Sequence, residues 1–286
     1  MSAQLVLVNR EQKIKRAVSR IFVYAFVVII SVTSVFPFVW MISASLKTEA
    51  TVFAWPIEWI PRDAHWSNYQ EIFERVNMLV YFRNTVIISI AVTAIQLSLA
   101  SLAAYAFAKI VFPGRDILFL LFLATLMIPY QVIMIPIFVI VRTLGLIDTK
   151  LGLILSCSFN AFSIFFMKQY FMTIPNEYVE AARIDGMSEL RIFGQVIAPL
   201  SRPAIATLAI YTFVGAWNDF LGPLVLLSSD HNLTIQLGIR KFITQYSARY
   251  ELIMATAVLA IIPILLIFLY FQKHFVKGMA LSGLKA

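Results

Sequence analysis

The chain has 286 residues, of which 60% are apolar and only 13% are charged, and its mean hydropathy is +0.84. This is more hydrophobic surface than one water-soluble core can bury, so the composition excludes an ordinary soluble domain. The formal net charge is +8 at pH 7, but the basic residues do not cluster with exposed aromatic residues, so we expect no nucleic-acid binding.

Six segments are long and apolar enough to be membrane spans, since crossing about 30 Å of hydrocarbon takes roughly 20 helical residues. The fourth is the shortest, and the fifth contains Asp219. The predicted spans are residues 21–42, 85–108, 117–141, 151–167, 203–227 and 252–272, which together form a transmembrane domain of residues 21–272. Continuous apolar runs without two-residue alternation exclude a porin-type barrel, so the predicted fold class is an all-α membrane protein with six transmembrane helices.

The distribution of lysine and arginine predicts the orientation of these spans. Five basic residues lie in the tail of residues 1–20, which places the N-terminus in the cytoplasm. With six spans the tail of residues 273–286 is also cytoplasmic, and 14 basic residues then lie inside against 9 outside. The first span is too long for the apolar region of a signal peptide, so we interpret it as a retained anchor.

Residues 175–199, between the fourth and fifth spans, are predicted to form a cytoplasmic loop with two short helices. Pro175 or Asn176 can begin the first helix, and Gly186 suits the left-handed residue that ends it. Ser188 can cap the second helix, and Pro199 interrupts the chain before the fifth span. The product is a helix, a glycine corner and another helix.

The first of these helices has features of a docking surface. Ala181 and Ala182 have little bulk, so a partner can approach that face closely, whereas Glu180 and Arg183 are three residues apart and can pair. Taken alone, the pattern fits any cytoplasmic loop with a surface helix equally well.

The spacing of this loop resembles the signature loop of ABC-importer permeases. Glu180, Ala181, Ala182, Gly186 and Pro199 match that signature, whereas Val196 and Ala198 replace the commoner isoleucine and leucine. The resemblance implies that the segment from Glu180 through Asp185 to Gly186 is a coupling helix that docks into a cleft on an ATPase subunit.

Further stretches resemble the maltose-type sugar permeases, and specifically the second, six-span permease subunit with the type I importer fold. They are Ala103–Lys109, Phe112–Arg115, Met127–Gln131, Ile135–Pro136, Ala216–Phe220 and Phe275–Gly278. The resemblance implies that the C-terminal tail, at Lys277 and Gly278, also reaches the ATPase. It implies a function as half of the translocation pathway of an ATP-driven carbohydrate importer in the bacterial cytoplasmic membrane.

The resemblance also implies the partners: a second permease subunit forming a heterodimer, two ATPase subunits that bind ATP and magnesium, an extracytoplasmic binding protein, and the lipid bilayer. The chain itself contains no Gly-Lys dipeptide, so it has no Walker-type phosphate loop. Its three histidines, His65, His231 and His274, are scattered, and Cys157 is the single cysteine, so no metal site is predicted. We therefore expect a non-catalytic subunit without a cofactor.

Four polar residues within the predicted spans are candidates for the translocation pathway, because a polar group in hydrocarbon must be paired or face water. Asn218 and Asp219 interrupt the fifth span, Gln131 lies between two prolines of the third, which predicts a bend there, and Asn160 lies in the fourth. Asp219 can instead anchor a helix end at the outer interface. Hydrogen bonds between helices explain Gln131 and Asn160 equally well.

Two other functions remain open from the sequence. One is a secondary transporter or channel without an ATPase, which the near absence of charged residues at the centres of the spans disfavours. The other is an ABC permease for a solute that is not a sugar.

Overall fold

The computed structural model describes residues 2–243 and 248–283, and the side chains of residues 19–243 and 248–270. In this part of the chain the fold is helical, with one isolated antiparallel bridge between Ile243 and Ala248. The helices are α1 (Ser2–Ser45), α2 (Ser67–Arg75), α3 (Met78–Lys109), α4 (Arg115–Ala124), α5 (Tyr130–Thr143), α6 (Lys150–Cys157), α7 (Ala161–Thr173), α8 (Glu177–Ile184), α9 (Glu189–Ile192), α10 (Ala198–Leu200), α11 (Arg202–Trp217), α12 (Leu221–Leu226), α13 (Ile235–Arg240) and α14 (Tyr250–Gly283). The all-α prediction is confirmed.

Three helices in the described residues are each long and apolar enough to cross a membrane: Ser19–Ser45 within α1, the whole of α3, and Tyr250–Tyr270 within α14. Three further helix pairs meet that criterion only together, each bent by more than 40° at a short break. They are α4 with α5, α6 with α7, and Glu189–Leu200 with Arg202–Asn218. By length and composition the described residues therefore contain three unbroken spans, or six spans if each bent pair is counted as one.

Two of these breaks have local causes that can be identified in the sequence. The axis turns by 104° between α4 and α5, where Ile128 is extended ahead of Pro129. The predicted bend of the third span is thus confirmed at Pro129, whereas Pro136 lies inside α5. Between α6 and α7 the bend is 46°, and the Asn160 side chain accepts a hydrogen bond from the backbone N–H of Ser163 at 3.2 Å. Asn160 therefore caps the start of α7.

The chain divides into two compact units, and the larger comprises residues 72–248 and 259–286. Helix α3 is its central element and packs mainly against α7 and α11. Its core includes buried side chains from α3, α7, the α8–α9 corner and α11: Ala104, Tyr105, Phe107, Ile164, Met167, Phe171, Val179, Ala182, Ile192, Ile197, Ala204 and Leu208. Burial of this many apolar side chains fixes the α8–α9 corner against the helical core.

The segment after α12 folds onto the larger unit through polar contacts. Asp148 accepts hydrogen bonds from the backbone N–H groups of Ser228 and Ser229, both at 2.9 Å. The Asn84 side chain donates to the carbonyl oxygens of His231 and Leu233, also at 2.9 Å. These bonds hold residues 228–233 against the start of α3 and the turn before α6.

The smaller unit comprises residues 1–71 and 249–258. Asn68 donates to the carbonyl oxygens of Ser45 and Lys47 at 2.9 and 2.8 Å, which fastens the start of α2 to the end of α1. Arg249 forms ion pairs with Glu71 at 3.2 Å, with Glu49 at 3.4 Å and with the buried Glu251. The apolar residues 21–39 of α1 are exposed, as expected of side chains that contact lipid or a partner.

Candidate functional site

A cavity of about 330 Å³ lies among the helices of the larger unit. It is lined from α3, α5, the α6–α7 break and the end of α11 by Val92, Gln96, Tyr130, Ile133, Ile137, Ser156, Cys157, Phe159, Asn160, Tyr211, Thr212, Gly215, Ala216 and Asp219. The broken spans create this space, because unwound backbone and helix ends within a membrane are tolerated where they face protein or a cavity.

Polar side chains from three helices converge on one side of the cavity. Gln96 donates a hydrogen bond to the Ser163 hydroxyl at 2.6 Å and lies 3.4 Å from the Thr212 hydroxyl. These hydrogen bonds hold α3, α7 and α11 together, and both Gln96 and Thr212 also belong to the cavity lining. The sequence interpretation missed Gln96, although a glutamine in the middle of an uncharged span was the available signal.

Asp219 supplies the only charge among the residues that line this cavity. One carboxylate oxygen accepts a hydrogen bond from the backbone N–H of Gly222 at 3.3 Å, and the Cys157 thiol donates to the other at 3.8 Å. A Cβ at position 222 would lie 2.5 Å from the carboxylate, so any other residue there would displace the Asp219 side chain. Asp219 thus stabilises the start of α12 and also lines the cavity.

The four predicted pathway residues have different surroundings. Asn160 and Asp219 line the cavity, whereas Gln131 and Asn218 are exposed and lie outside its lining. Asn218 donates to the carbonyl oxygen of Val214 at 3.0 Å, one turn earlier in α11. The structure therefore brings together two of the four predicted residues.

The loop between α7 and α11 forms the second candidate site, and its local shape is the predicted one. Helix α8 begins after Asn176 and ends before Gly186, which has a φ of +79°. Ser188 is the N-cap of α9 by position, but its side chain makes no capping hydrogen bond. The sharp bend into α11 lies at Ser201 and not at Pro199, which is contained in α10. Between α9 and α10 the residues Phe193–Ile197 are π-helical.

The two faces of α8 have opposite environments. Val179 and Ala182 are buried in the core, whereas Glu180 and Ala181 are exposed on the other face. The expectation that both alanines offer a docking face is therefore wrong for Ala182, which packs inward. Asp185 and Gly186 are also exposed.

Large apolar side chains stand out from the exposed face of this corner. Ile184 is 87% exposed, Leu190 74% and Tyr178 54%. Several large apolar side chains exposed together on one surface are typical of a contact face for a protein partner.

A hydrogen-bonded network joins this corner to the end of α3. Tyr105 donates to Glu189 at 2.6 Å, and Arg183 pairs with the other oxygen of Glu189 at 2.7 Å. The nearly buried Lys109 ammonium donates to the Ile174 carbonyl at 2.6 Å and to the Asn176 side chain at 2.7 Å. A displacement of α8 therefore has a direct polar and apolar connection to α3.

This network corrects the predicted pairing of Arg183 with Glu180. Arg183 bonds to Glu189, six residues on, because Gly186 folds the chain back and brings α9 beside α8. Its hydrogen bond to Glu189 raises the pKa of Arg183 above its already high ordinary value, so the pair is ionised. Glu180 makes no hydrogen bond or ion pair in the described residues and remains exposed. The predicted contact residues Lys277 and Gly278 have side chains outside the described residues.

A cavity among broken membrane helices, together with an exposed corner attached to them, is the arrangement expected of a membrane permease. The sequence matches the profile of the binding-protein-dependent transport system inner membrane components over residues 96–281. The chain belongs to this family, and it is therefore a multi-pass inner-membrane component of an ABC importer.

Individual relatives cover nearly the whole chain. An arabinooligosaccharides transport system permease protein of Halalkalibacterium halodurans is 35% identical over 92% of this chain and 94% of its own. An sn-glycerol-3-phosphate transport system permease protein of Rhizobium meliloti is 33% identical over 93% and 97%. A solved bacterial ABC transporter involved in the import of the acidic polysaccharide alginate aligns with a TM-score of 0.79 and 26% identity, over 89% of this chain and 95% of that one. The fold is the type I ABC importer permease fold.

Proposed function

We propose that this chain is one of two permease subunits of an ATP-driven carbohydrate importer. Its cavity forms half of the translocation pathway, and the α8 corner transmits the movement of a separate ATPase. In keeping with the binding-protein dependence in the family description, it receives substrate from an extracytoplasmic binding protein. Both termini and the α8 corner face the cytoplasm, in agreement with the excess of basic residues on that side.

The observation that carries this proposal is that one face of α8 is exposed to a partner while the other face is packed against the helical core. Ile184 projects away from the chain, so a partner can grip it, whereas Val179 and Ala182 are buried and Arg183 pairs with Glu189, so the corner cannot move independently of the core. A surface helix that served only to connect two spans needs neither property. Because packed elements shift as rigid units, a movement of α8 would be transmitted through its buried contacts and its ion pair to the membrane helices.

The energetic demand of alternating access also favours an external motor. Moving an equilibrium from 1:99 to 99:1 takes about 5.5 kcal/mol of differential binding. Secondary transporters obtain this from ions bound at charged groups in the membrane. Among the residues that line the cavity there is one carboxylate, Asp219, and no further acidic side chain to form an ion site with it. Nucleotide binding by an ATPase partner is the better source.

Substitution of the exposed face of α8 tests this assignment. We expect Ile184→Glu to reduce the amount of ATPase that copurifies. It should also reduce the stimulation of ATP hydrolysis by the binding protein, because the new carboxylate would be buried between α8 and the ATPase. Ile60→Glu is the matched control, since Ile60 is 85% exposed but lies in the loop predicted on the opposite side of the membrane. Both complexes are compared for stoichiometry and ATP hydrolysis in proteoliposomes.

The rival assignments give different outcomes. Solute uptake by the isolated chain without any ATPase would favour a secondary transporter or channel. If the Ile184→Glu complex keeps its ATPase subunits and its stimulated ATP hydrolysis, α8 is not the contact with the ATPase. ATP-dependent uptake of amino acids or polyamines, but of no carbohydrate, would identify an ABC permease for another solute.

A further inference from the structure

The charge of the cavity lining affects whether a neutral or an anionic carbohydrate can move through the cavity. Among the residues that line it, Asp219 is the single ionisable group with a formal charge at neutral pH, and no lysine, arginine or histidine is present. The relatives named above include proteins for both neutral and anionic solutes, so relationship alone does not decide this property.

The Asp219 carboxylate has no cation to neutralise it. Its hydrogen-bond donors are the backbone N–H groups of Leu221 and Gly222, the latter at 3.3 Å, and the Cys157 thiol at 3.8 Å, all of them uncharged. Residues 85–108, 117–141, 151–167 and 203–217, which supply nearly all of the lining, contain no charged side chain, and the cations of these helices, such as Arg142 and Arg202, lie outside these ranges. A solute at this position therefore meets a net negative charge from this subunit.

Such a charge discriminates strongly against anions in a poorly solvated site. Two negative charges about 6 Å apart, at an effective dielectric constant of roughly 20, repel enough to weaken binding on the order of 100-fold. An anionic solute would need compensating cations, and this chain places none in the cavity lining.

The same lining suits uncharged sugars. A carboxylate accepts hydroxyl hydrogens in strong, charge-assisted hydrogen bonds, and the Gln96 and Asn160 side chains offer further hydrogen-bonding groups. Tyr130 and Tyr211 add flat aromatic faces beside these polar atoms, a combination that matches a ring with an apolar face and a polar rim.

We propose that the imported carbohydrate is electrically neutral, and that Asp219 disfavours phosphorylated and uronic-acid sugars in the pathway. This inference rests on the proposed function, since it takes the cavity as part of the pathway. It narrows the substrate class to sugars without phosphate or carboxylate groups.

The chain provides its own probe of the electrostatics, because its single cysteine, Cys157, lines the cavity next to Asp219. The complete importer is treated with three methanethiosulfonates that differ in charge: 2-sulfonatoethyl (anionic), 2-hydroxyethyl (neutral) and 2-(trimethylammonio)ethyl (cationic). Modification of the Cys157 peptide is followed by mass spectrometry, with each rate normalised to that of a small free thiol. The ratio between reagents is used, because a change in thiol ionisation alters all three rates equally.

We expect the normalised anionic rate to be at least 10-fold below the cationic rate in the wild type. Asp219→Asn should bring the ratio close to one. Asp116→Asn is the matched control, since it removes an equally charged but 79% exposed carboxylate outside the cavity lining, and it should leave the ratio unchanged. Equal rates in the wild type, a ratio that Asp219→Asn does not change, or no modification by any reagent would each overturn the proposal.

Transport separates this inference from the proposed function. ATP-dependent uptake is measured in proteoliposomes with the cognate binding protein, for the anionic sn-glycerol-3-phosphate and trigalacturonate and for the neutral arabinotriose and lactose. Greater uptake of the anionic solutes would overturn the proposal that the substrate is neutral, but it would leave the importer assignment intact. Uptake that proceeds without an ATPase would refute the importer assignment, whatever the charge ratio at Cys157. A preference for a neutral probe that weakens in Asp219→Asn would support both.

Discussion

The Arg183 guanidinium on α8 lies 2.7 Å from the Glu189 carboxylate on α9, and this ion pair connects the two helices across the turn at Gly186. Glu189 also accepts the Tyr105 hydroxyl at 2.6 Å, so one carboxylate joins both short helices to α3. An ion pair this exposed adds little stability. Its effect on the orientation of α8 is therefore the more informative property to test.

The first prediction concerns this ion pair. Arg183→Gln and Glu189→Gln should each lower transport per ATP hydrolysed, while the free energy of unfolding changes by about 1 kcal/mol or less because both side chains are about 40% exposed. The exchange Arg183→Glu with Glu189→Arg should restore coupling only in part, since Tyr105 would lose its acceptor. Full additivity of the single variants in a double-mutant cycle would show that the pair does not act as a unit.

The second prediction concerns Lys109, whose ammonium is almost buried between the carbonyl of Ile174 and the side chain of Asn176. Lys109→Met should destabilise the permease by about 1 to 3 kcal/mol, because it leaves a buried carbonyl without a donor. Lys150→Met is the control, since Lys150 makes one longer bond of 3.2 Å to Asn232. Thermal unfolding of the purified complex measures both, and an equal loss in the two variants would contradict the prediction.

The third prediction concerns Gly186. A Cβ there would meet nothing within 4 Å, so the chain itself has room for a side chain, and the constraint is the φ of +79°. Gly186→Val should abolish most ATPase stimulation, because a β-branched residue resists the left-handed conformation at a cost of about 1 to 2 kcal/mol. Asparagine adopts this conformation more readily.

Gly186→Asn therefore separates backbone strain from contact with the ATPase. Near-normal coupling in this variant would assign the loss in Gly186→Val to the backbone. An equal loss of ATPase stimulation in both variants would mean that any side chain at position 186 clashes with the ATPase. Normal coupling in both would contradict the role of this corner.

The fourth prediction uses two glycines near the cavity. At Gly222 a methyl group would lie 2.5 Å from the Asp219 carboxylate and 3.2 Å from the Leu153 side chain, whereas at Gly215 it would meet nothing within 4 Å. Gly222→Ala should displace the carboxylate, lower the stability by about 1 to 3 kcal/mol and reduce uptake. Gly215→Ala should have little effect on the unfolding temperature, and the opposite ranking would show that Asp219 is not held as described.

The fifth prediction is an acid dependence of stability in the segment after α12. Hydrogen bonds from Lys241, Tyr81 and Asn77 lower the pKa of Asp230 to about 2. Since the unfolded value is about 3.9, the stabilisation is fully present above roughly pH 4 and is lost as the pH falls through about 2. Its size is about 1 kcal/mol or less, because Asp230 is 40% exposed and solvent screens the pair.

Unfolding of wild type and Asp230→Asn across pH 2 to 7 measures this contribution. The variant should be slightly less stable at pH 7, and the difference should vanish near pH 2. A constant difference at all pH values would mean that ionisation of Asp230 does not contribute.

Parts of the two sites could be predicted from sequence because they depend on local chemistry. The left-handed conformation of Gly186 follows from the absence of a Cβ, and the bend at Pro129 follows from the extended conformation that the proline ring imposes on Ile128. Asn160 and Asp219 were identifiable because polar groups in hydrocarbon need a reason to be there. The pairing of Arg183 was mispredicted because helix spacing says nothing about the chain beyond a corner.

The sequence by itself determined that the protein lies in a membrane, that it is all-helical and that a glycine corner ends α8, since hydrophobic run length and backbone preferences act over short distances. The family followed from the resemblance of the loop around Glu180 and Gly186 to the signature loop of ABC-importer permeases. Only the tertiary structure decided that Gln96 and Thr212 share a cavity with Asp219, that Ala182 faces inward, and that Tyr105 and Lys109 hold the corner. The reason is that these relationships join residues up to 123 positions apart, as Gln96 and Asp219 are, and depend on how broken helices pack.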